Sequence, residues 1–403
     1  MAIRYGPIVS APVCAASPHS RVEANRRPTP PDGTPPACDP RRSELDSRVE
    51  GERRRGRGAS TNASGRFEPV ARERFDEDRD PDEPLPPLRT EVTVETPRTI
   101  IARNDSPDLG FDRSVNPYRG CEHGCVYCYA RPTHAFQGLS PGLDFETKLF
   151  AKPNAAELLE RELRAKSYAP RTIVLGANTD PYQPIERTWR VTRSVLEVLA
   201  RTNHPVGIVT KSALVVRDLD LLGPMAANGL VKVALSITTL DRDLARRMEP
   251  RAPTPAKRLD AIRLLAAAGI PVTVLVAPVI PAVNDHEIEA VLAAARDAGA
   301  REAGYVLLRL PHELKDLVRD WLAEHFPGKN RHVFSLIEGA RDGKSYDATW
   351  GVRQVGTGPY AALIAQRFEA AARRLGFAPE RRGLRTDLFT PPGRAPAGQL
   401  SLF

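Results

Sequence analysis

Cysteine is scarce in this sequence, since only five occur in 403 residues. Cys121, Cys125 and Cys128 fall within one short segment, whereas Cys14 and Cys38 lie far upstream. An odd number of cysteines with one tight cluster argues against the disulfide framework of a secreted protein. A metal site in a reducing cytosol fits this distribution better, so we expect a cytoplasmic protein.

Long uncharged runs are scarce as well. The first residues lack a basic region followed by a sustained apolar core, so we predict no signal peptide. One uncharged run, residues 264–283, contains Gly269, Pro271, Pro278 and Pro281. A membrane-spanning helix needs about 20 apolar residues without such breaks. We therefore expect a soluble protein that does not contact a membrane.

The chain carries a formal net charge of +8 at pH 7. Such a charge would suit a polyanionic partner such as nucleic acid. Arginine outnumbers lysine along the chain, however, and a codon bias toward arginine would produce the same excess. Charge alone therefore leaves nucleic-acid binding open.

Proline is abundant, at 38 residues, but it is unevenly spread. Residues 1–90 combine Pro-rich, basic and acidic stretches with few bulky aliphatic residues, which predicts a disordered leader. We expect the ordered domain at residues 91–330. A C-terminal helical extension at residues 331–378 and a flexible tail at residues 379–403 are expected to follow.

Within the expected domain, short aliphatic runs alternate with amphipathic helical patterns. Six runs are predicted to be strands: Ser114–Tyr118, Thr172–Leu175, Val206–Thr210, Val231–Ile237, Val272–Ala277 and Tyr305–Leu308. This alternation predicts parallel strands joined by right-handed crossovers. Six units are too few for a closed eight-stranded barrel, so we expect an α/β fold that forms a partial (β/α)6 TIM-like barrel. A flat doubly wound sheet is the alternative, and either fold places the chemistry at the carboxyl ends of the strands.

The segment NPYRGCEHGCVYCYARPTHAF, residues 116–136, carries the clustered cysteines in a C-x3-C-x2-C spacing. Three thiolates on one short loop can ligate three irons of a [4Fe–4S] cluster and leave the fourth iron open to a small molecule. The alternative is a structural zinc site, which usually takes four ligands. His123 could be the fourth, but Cys121 and Cys125 crowd it, and no second cysteine pair follows.

This loop, with an aromatic residue just before its last cysteine, resembles the signature of the radical S-adenosylmethionine (SAM) superfamily. The resemblance implies an enzyme in which SAM binds the open iron and is cleaved reductively to methionine and a 5′-deoxyadenosyl radical. It also implies an electron donor such as flavodoxin or ferredoxin. By the same resemblance Tyr127 would pack near the SAM adenine, although it could equally be an ordinary core aromatic.

Further segments resemble the DNA-photolyase-like branch of the superfamily, which includes spore photoproduct lyase. The SAM-binding residues that this resemblance implies, beyond Tyr127, are Thr179, Asp180, Lys211, Ser236 and Arg251. The first two would accept hydrogen bonds from the SAM amino group, and the lysine and serine would lie near its carboxylate. The arginine and the nearby Glu249 would line the pocket. Each also has an ordinary interpretation, such as a turn before a helix, a solvated lysine or an arginine paired with a surface acid.

The chain departs from spore photoproduct lyase in the loop after the second strand. That enzyme carries a hydrogen-donating cysteine there, whereas this sequence reads Gly176-Ala177-Asn178. Repair of the same lesion by the same route is therefore not expected. The substrate could be nucleic acid, in repair or modification, or a peptide or small metabolite. A non-catalytic Fe–S sensor is a third alternative.

The last five residues of the sequence, Gln399–Phe403 (QLSLF), resemble the peptide with which bacterial polymerases and repair proteins dock on the DNA sliding clamp. The glutamine would hydrogen-bond at the rim of a groove, while Leu402 and Phe403 would fill an apolar pocket. A flexible linker would present the peptide. The alternative is that this hydrophobic end folds back onto the barrel. Clamp binding would favour DNA as the substrate.

Overall fold

The computed structural model of the protein describes residues 48–68, 86–379 and 383–393. Cys14, Cys38 and Gln399–Phe403 lie outside these residues, and what the sequence predicts for them stays a prediction. No helix within the three ranges has the length and apolar character needed to cross a membrane.

The strands form a large sheet and a small one. They are β1 (Glu91–Val94), β2 (Ile101–Arg103), β3 (Arg113–Val115), β4 (Tyr118–Arg119), β5 (Lys148–Ala151), β6 (Ile173–Leu175), β7 (Val206–Thr210), β8 (Val231–Ser236), β9 (Val272–Val279) and β10 (Glu302–Leu307). The large sheet has the order β10-β9-β8-β7-β6-β3-β2, and the small one has the order β1-β5-β4. All neighbours in the large sheet are parallel except β2, which runs antiparallel to β3.

Helices follow most of the parallel strands. They are α1 (Asp144–Thr147), α2 (Ala155–Leu163), α3 (Glu186–Trp189), α4 (Val191–Arg201), α5 (Leu219–Ala227), α6 (Arg242–Met248), α7 (Pro255–Ala267), α8 (Ile288–Asp297), α9 (Leu314–His325), α10 (Asn330–Gly339) and α11 (Gly358–Arg374). Shorter 3₁₀ helices span Arg131–Gln137, Ala213–Asp218 and Asp285–Glu287. Amphipathic faces explain the longer helices: in α2, for example, Leu158, Leu159 and Leu163 are buried on one side.

The strand order confirms the partial barrel. The six parallel strands, β3 and β6 to β10, follow one another across the sheet in chain order. With right-handed crossovers, such an order places every connecting helix on the same face, as in a (β/α) barrel. A doubly wound sheet reverses its order at a switch point, so that alternative is wrong.

The first predicted strand is divided in two. We expected one strand over Ser114–Tyr118, but β3 ends at Val115 and β4 begins at Tyr118 in the other sheet. Pro117 lies between them and has no N–H to donate to a ladder. The chain therefore leaves the barrel sheet immediately before the cysteine segment.

The predicted disordered leader is wrong for residues 48–68 and 86–90. Arg57 donates to the carbonyl oxygens of Glu146 and Leu88 over 2.9 and 3.0 Å. Val49 N donates to the Ser60 carbonyl oxygen over 3.0 Å. We call residues 57–63 the strap. Composition misled the prediction because these residues are ordered by hydrogen bonds to other segments and not by an apolar core of their own.

The predicted flexible tail is wrong for residues 383–393. Thr390 N donates to the Thr202 carbonyl oxygen over 2.9 Å. The ring of Phe389 lies 5.6 Å from that of Tyr168 and 5.3 Å from that of His204, centroid to centroid. Aromatic packing of this kind stabilises a segment that has no regular secondary structure.

The apolar core continues from the barrel to the cysteine segment. A second cluster of buried residues packs Val126 and Tyr127 against Met248 of α6, and also includes Trp321 of α9 and Val333 of α10. The C-terminal helices therefore support the segment from outside the barrel.

We predict that His204 makes the stability of the protein depend on pH. Burial lowers the pKa of His204 to about 4, below the value of about 6.5 in an unfolded chain. The unfolded state therefore binds the proton more readily between these values. The contribution, about 2–3 kcal/mol, is complete above pH 6.5 and is lost as the pH falls toward 4. The free energy of unfolding of His204→Asn, measured by urea titration, should fall less than that of wild type over this window.

The control for this prediction is His286→Asn, because His286 is exposed. It should keep the pH dependence of wild type. Equal pH dependence in His204→Asn and wild type would contradict the assignment.

Candidate functional site

The three clustered cysteines lie on a loop that leaves the carboxyl end of the first barrel strand. Cys121 follows β4 closely, and its N–H donates to the Phe145 carbonyl oxygen over 2.9 Å. Cys128 N donates to the Cys125 carbonyl oxygen over 3.2 Å. All three side chains are free thiols; Cys121 and Cys125 are buried, and Cys128 is half-buried. We call residues 120–131 the cysteine loop.

A buried ion pair anchors the cysteine loop. Arg131 donates from Nε to the Cys125 carbonyl oxygen over 2.8 Å and pairs with the Glu146 carboxylate. Both side chains of the pair are 0% exposed. The same carboxylate accepts from the strap, through Gly58 N at 2.9 Å and Ala59 N at 2.8 Å. One carboxylate therefore joins the cysteine loop, α1 and the strap.

The strap can approach the cysteine loop only because both carry glycine at the contact. A Cβ atom on Gly58 would lie 1.8 Å from the carbonyl oxygen of Gly124. Gly124 has a φ of 69°, in the left-handed region that glycine adopts without strain. A Cβ there would lie 2.7 Å from Glu146 Oε2. The backbone of the loop is thus held tightly from the outside.

The thiols are suited to binding a metal. Burial raises the pKa of Cys121, Cys125 and Cys128, because a buried thiolate lacks hydration. The positive charge of Lys211 acts in the opposite direction on Cys125 and Cys128. Metal ions bind thiolates and displace their protons. A cationic group at the thiols would therefore remove the cost of burying them as thiolates.

The geometry of the thiols does not by itself choose between a cluster and a single ion. A zinc ion draws four ligands to within about 2.0–2.3 Å of one point, whereas in a cubane cluster each thiolate binds a different iron. Within the described ranges, no group of three or more His, Cys, Asp or Glu side chains is already arranged to hold a metal ion. His123 Nδ1 lies 3.4 Å from Asp180 Oδ2, and this contact leaves its Nε2 unassigned, so a structural zinc site remains the alternative.

Tyr127 belongs to a buried polar network. Its hydroxyl donates to the Glu249 carboxylate and lies 3.1 Å from Thr238 Oγ1. Glu249 also pairs with the buried Arg258. Burial alone would raise the pKa of Glu249, but the charges of Arg258 and Lys211 hold it at about 2. The network fixes the tyrosine ring. The sequence suggested Tyr127 and Glu249 as separate residues of the SAM pocket, and it gave no sign of the hydrogen bond that joins them.

Lys211 lies between this network and the thiols. It follows β7, which ends at Thr210, and it is half-buried. Its Nζ lies 5.6 Å from the centroid of the Tyr127 ring, a cation–π contact. Among the residues that the structure describes, no carboxylate forms an ion pair with it within 4.0 Å. Lys211 thus offers a positive charge beside the cysteine loop, where the sequence predicts the SAM carboxylate.

The structure uses Thr179 and Asp180 to connect loops. Asp180 accepts from Thr210 Oγ1 over 2.7 Å and from Lys211 N over 2.8 Å. Burial would raise the pKa of Asp180, but the charge of His123 and these hydrogen bonds hold it at about 2. Thr179 donates its hydroxyl to a carbonyl oxygen of β4 over 2.8 Å. Direct contact of either side chain with SAM stays a prediction.

The structure places Ser236 at the end of a barrel strand and Arg251 against the cysteine loop. Ser236 is the buried last residue of β8, at the carboxyl edge of the sheet as predicted for a strand end. Arg251 Nη2 lies 2.7 Å from Oε1 of Glu122, which belongs to the cysteine loop. Arg251 N also donates to the carbonyl oxygen of His123 over 3.2 Å. Arg251 therefore pairs with an acid, but with a nearly buried one that holds the cysteine loop.

Sequence reasoning missed the anchoring residues Arg131, Glu146 and Glu122. Periodic apolar patterns reveal helices and strands, but an ion pair between distant segments has no period. No local signal pointed to these residues. Glu146 belongs to the four-residue helix α1, all of whose residues are buried, and that burial is visible only in three dimensions.

We predict that Glu146→Gln strongly destabilises the protein and the cysteine loop. The substitution leaves Arg131 buried without its carboxylate, which typically costs about 3–5 kcal/mol. Urea unfolding and iron content after reconstitution should both fall. Glu157→Gln, on an exposed position of α2, should match wild type. Wild-type stability and iron content in Glu146→Gln would contradict the anchoring role.

Known proteins resemble the central part of this chain. Residues 115–295, from the end of β3 to α8, match the family model described as the Radical SAM superfamily. An uncharacterized protein of Mycobacterium tuberculosis is 39% identical over 221 residues, which are 54% of this chain and 65% of that protein. The chain therefore covers less than two thirds of the length of that relative.

Two further matches are more distant. The Radical SAM Nalpha-GlyT isomerase of Pseudomonas phage M6 is 28% identical over 176 residues, 43% of this chain and 34% of that protein. A solved structure of spore photoproduct lyase matches 70% of this chain and 78% of its own, at 19% identity and a TM-score of 0.48. The family match begins at the last residue of β3 and covers β4 to β9 together with the cysteine loop. Residues 115–295 are therefore the part of this chain that is similar to the Radical SAM superfamily.

Proposed function

We propose that this chain is a radical SAM enzyme whose Cys121, Cys125 and Cys128 hold a [4Fe–4S] cluster. The observation that carries the proposal is the grouping of three free thiols on one anchored loop at the carboxyl end of the barrel. When bound, the cluster supplies one electron, received from a donor such as flavodoxin or ferredoxin, for reductive cleavage of SAM to methionine and a 5′-deoxyadenosyl radical.

The residues around the loop support SAM binding in this proposal. Lys211 would pair with the SAM carboxylate, because its ammonium group has no carboxylate partner among the described residues. Tyr127 presents a ring that Glu249 holds in place, and it would pack against the adenine. Asp180 and Thr179 would position the loops after β6 and β7. The apolar cluster behind the cysteine loop would exclude water from the reactive radical.

The substrate that we propose is nucleic acid, in a repair or modification reaction. The net charge of +8 and the resemblance to the DNA-photolyase-like branch support it. A radical SAM isomerase among the relatives supports an enzyme over a non-catalytic sensor. The described residues contain only the three cysteines of the loop, so the product radical would take its hydrogen from a group other than a further cysteine in these ranges. Clamp binding through Gln399–Phe403 stays a prediction.

We predict that Cys125→Ser abolishes both cluster binding and SAM cleavage. The serine hydroxyl does not replace the thiolate ligand. Anaerobic reconstitution, followed by iron and sulfide analysis and electron paramagnetic resonance, should show a [4Fe–4S] cluster in wild type only. With a chemical reductant, wild type should form 5′-deoxyadenosine from SAM. Cys38→Ser is the matched control, since Cys38 lies outside the loop, and it should behave as wild type.

Three outcomes would overturn the proposal in different ways. A wild-type chain with no [4Fe–4S] cluster excludes the family chemistry for this protein. A cluster that yields no 5′-deoxyadenosine indicates a sensor or scaffold. Zinc bound at the same three thiols would restore the structural alternative.

We also predict that Lys211→Met weakens SAM binding by about 10-fold or more, because a charge-assisted hydrogen bond contributes about 1.5–3 kcal/mol. Binding is measured by calorimetry on the reconstituted protein, and iron content should stay near the wild-type value. Lys257→Met, at an exposed position of α7, removes the same charge and should bind SAM normally. Unchanged SAM affinity in Lys211→Met would show that the lysine does not bind the SAM carboxylate. Its charge would then act only on the cysteine thiols.

A further inference from the structure

A buried glutamine in the loop after β6 holds the backbone on both sides of the first clustered cysteine. We call residues 176–185 the β6 loop. Gln183 of this loop is 0% exposed. Its Nε2 donates to the Gly120 carbonyl oxygen over 3.1 Å, and its Oε1 accepts from Glu122 N over 2.8 Å. Because Gly120 and Glu122 flank Cys121, one side-chain amide is hydrogen-bonded to the peptide units before and after that cysteine.

The contact requires an amide and not merely a polar side chain. A backbone carbonyl oxygen can only accept, and a backbone N–H can only donate, so the partner must offer one donor and one acceptor side by side. A carboxylate at position 183 would leave the Gly120 carbonyl oxygen facing a second acceptor. An ammonium group would leave Glu122 N without an acceptor. The residue type therefore matches the two backbone groups that it meets.

The other backbone groups next to Cys121 are hydrogen-bonded as well. Cys121 N donates to the Phe145 carbonyl oxygen over 2.9 Å, and the Cys121 carbonyl oxygen accepts from Gly124 N over 3.3 Å. With the two bonds from Gln183, both peptide units around this cysteine are fully paired. The backbone that carries the thiol is thus fixed by the protein, and only the side-chain torsion is left to adjust to a metal.

The protein also fixes the glutamine itself. Gln183 N donates to the Asp180 carbonyl oxygen over 3.4 Å, and the Gln183 carbonyl oxygen accepts from Glu186 N over 2.9 Å. Pro184 follows directly and restricts the backbone of the residue before it. Asp180 of the same loop accepts from Lys211 N. The β6 loop therefore connects the first cysteine to the lysine to which we assign the SAM carboxylate.

Gln183 complements the anchor formed by Arg131. The Arg131 guanidinium donates to the carbonyl oxygens of Gly124 and Cys125 over 3.2 and 2.8 Å, in the middle of the cysteine loop. Gln183 holds the residues at the beginning of the loop. The two anchors reach the loop from different segments, one through α1 and the strap and the other through the β6 loop.

We propose that Gln183 is a positioning residue that holds Cys121 at the correct place relative to Cys125 and Cys128 for cluster binding. The proposal rests on the proposed function, because it is a cluster that requires three thiolates in fixed mutual positions. A glutamine that only satisfied buried polar groups would stabilise all three cysteines alike. The two roles therefore differ in which thiol responds when the amide is removed.

The test begins with the full chain before reconstitution, alkylated anaerobically with iodoacetamide and analysed by peptide mass spectrometry. Gln183→Met keeps the length of the side chain and removes both hydrogen bonds. The alkylation rate of Cys121 should rise by about 5-fold or more over wild type, because local opening no longer breaks those bonds. Cys125 and Cys128 should stay near their wild-type rates.

The matched control is Gln354→Met. Gln354 is half-buried, and its Nε2 donates to the Asp108 carbonyl oxygen over 3.4 Å, a contact that does not involve the cysteine loop. All three cysteines should react as in wild type in this variant.

A second measurement uses the reconstituted chain. Gln183→Met should lose iron to a chelator about 10-fold faster than wild type, since groups that orient metal ligands typically change metal affinity by that factor or more. If Gln183→Met does not fold, as judged by urea titration, Gln183→Asn takes its place. It keeps the amide on a shorter side chain that cannot reach both backbone groups, and it should change the Cys121 rate and the iron loss in the same direction but less.

Each outcome supports or overturns the proposal. Selective acceleration at Cys121 together with faster iron loss supports it. Equal acceleration at all three cysteines, or wild-type rates at Cys121, overturns the positioning role. If wild type forms no cluster but Cys121 is selectively accelerated, the proposed function fails while Gln183 stands as an anchor of the loop. If wild type forms the cluster and the variants retain iron as wild type does, the proposed function stands and the role of Gln183 fails.

Discussion

The buried carboxylate of Glu146 is the interaction on which the candidate site depends. It neutralises Arg131, which holds the carbonyl oxygen of Cys125, and it accepts two N–H groups from the strap. Because all of these groups are removed from water, each needs the others as partners, and the loss of one leaves a buried charge unpaired. The position of the cysteine loop therefore depends on electrostatic interactions within the protein.

The same principle extends around the carboxyl edge of the barrel. Asp180 connects the loops after β6 and β7, and Glu249 fixes Tyr127 beside them. These acids are held in the ionised state by neighbouring cations and donors. Lys211 forms no ion pair with a carboxylate among the described residues and lies on the ring of Tyr127. In our proposal its ammonium group receives the SAM carboxylate.

Much of the fold could be predicted from the sequence, because its signals are local. Five of the six predicted barrel strands coincide with β6 to β10 to within a few residues, since aliphatic runs between helical patterns are visible in the sequence itself. The errors share one cause. Residues 48–68 and 383–393 have little apolar content, yet hydrogen bonds to Glu146 and Thr202 and the packing of Phe389 order parts of them. Composition reports whether a segment can build its own core and not whether another segment will hold it.

By itself the sequence determined the alternation of strands and helices and the C-x3-C-x2-C spacing, because both are relations between residues a few positions apart. Only the tertiary structure decided what surrounds those cysteines. Arg251 pairs with Glu122 of the loop, and Arg341 donates to the carbonyl oxygen of Leu308, just after β10. Such pairs depend on which segments the barrel brings to one edge, and charge interactions across that edge leave no periodic trace in the chain.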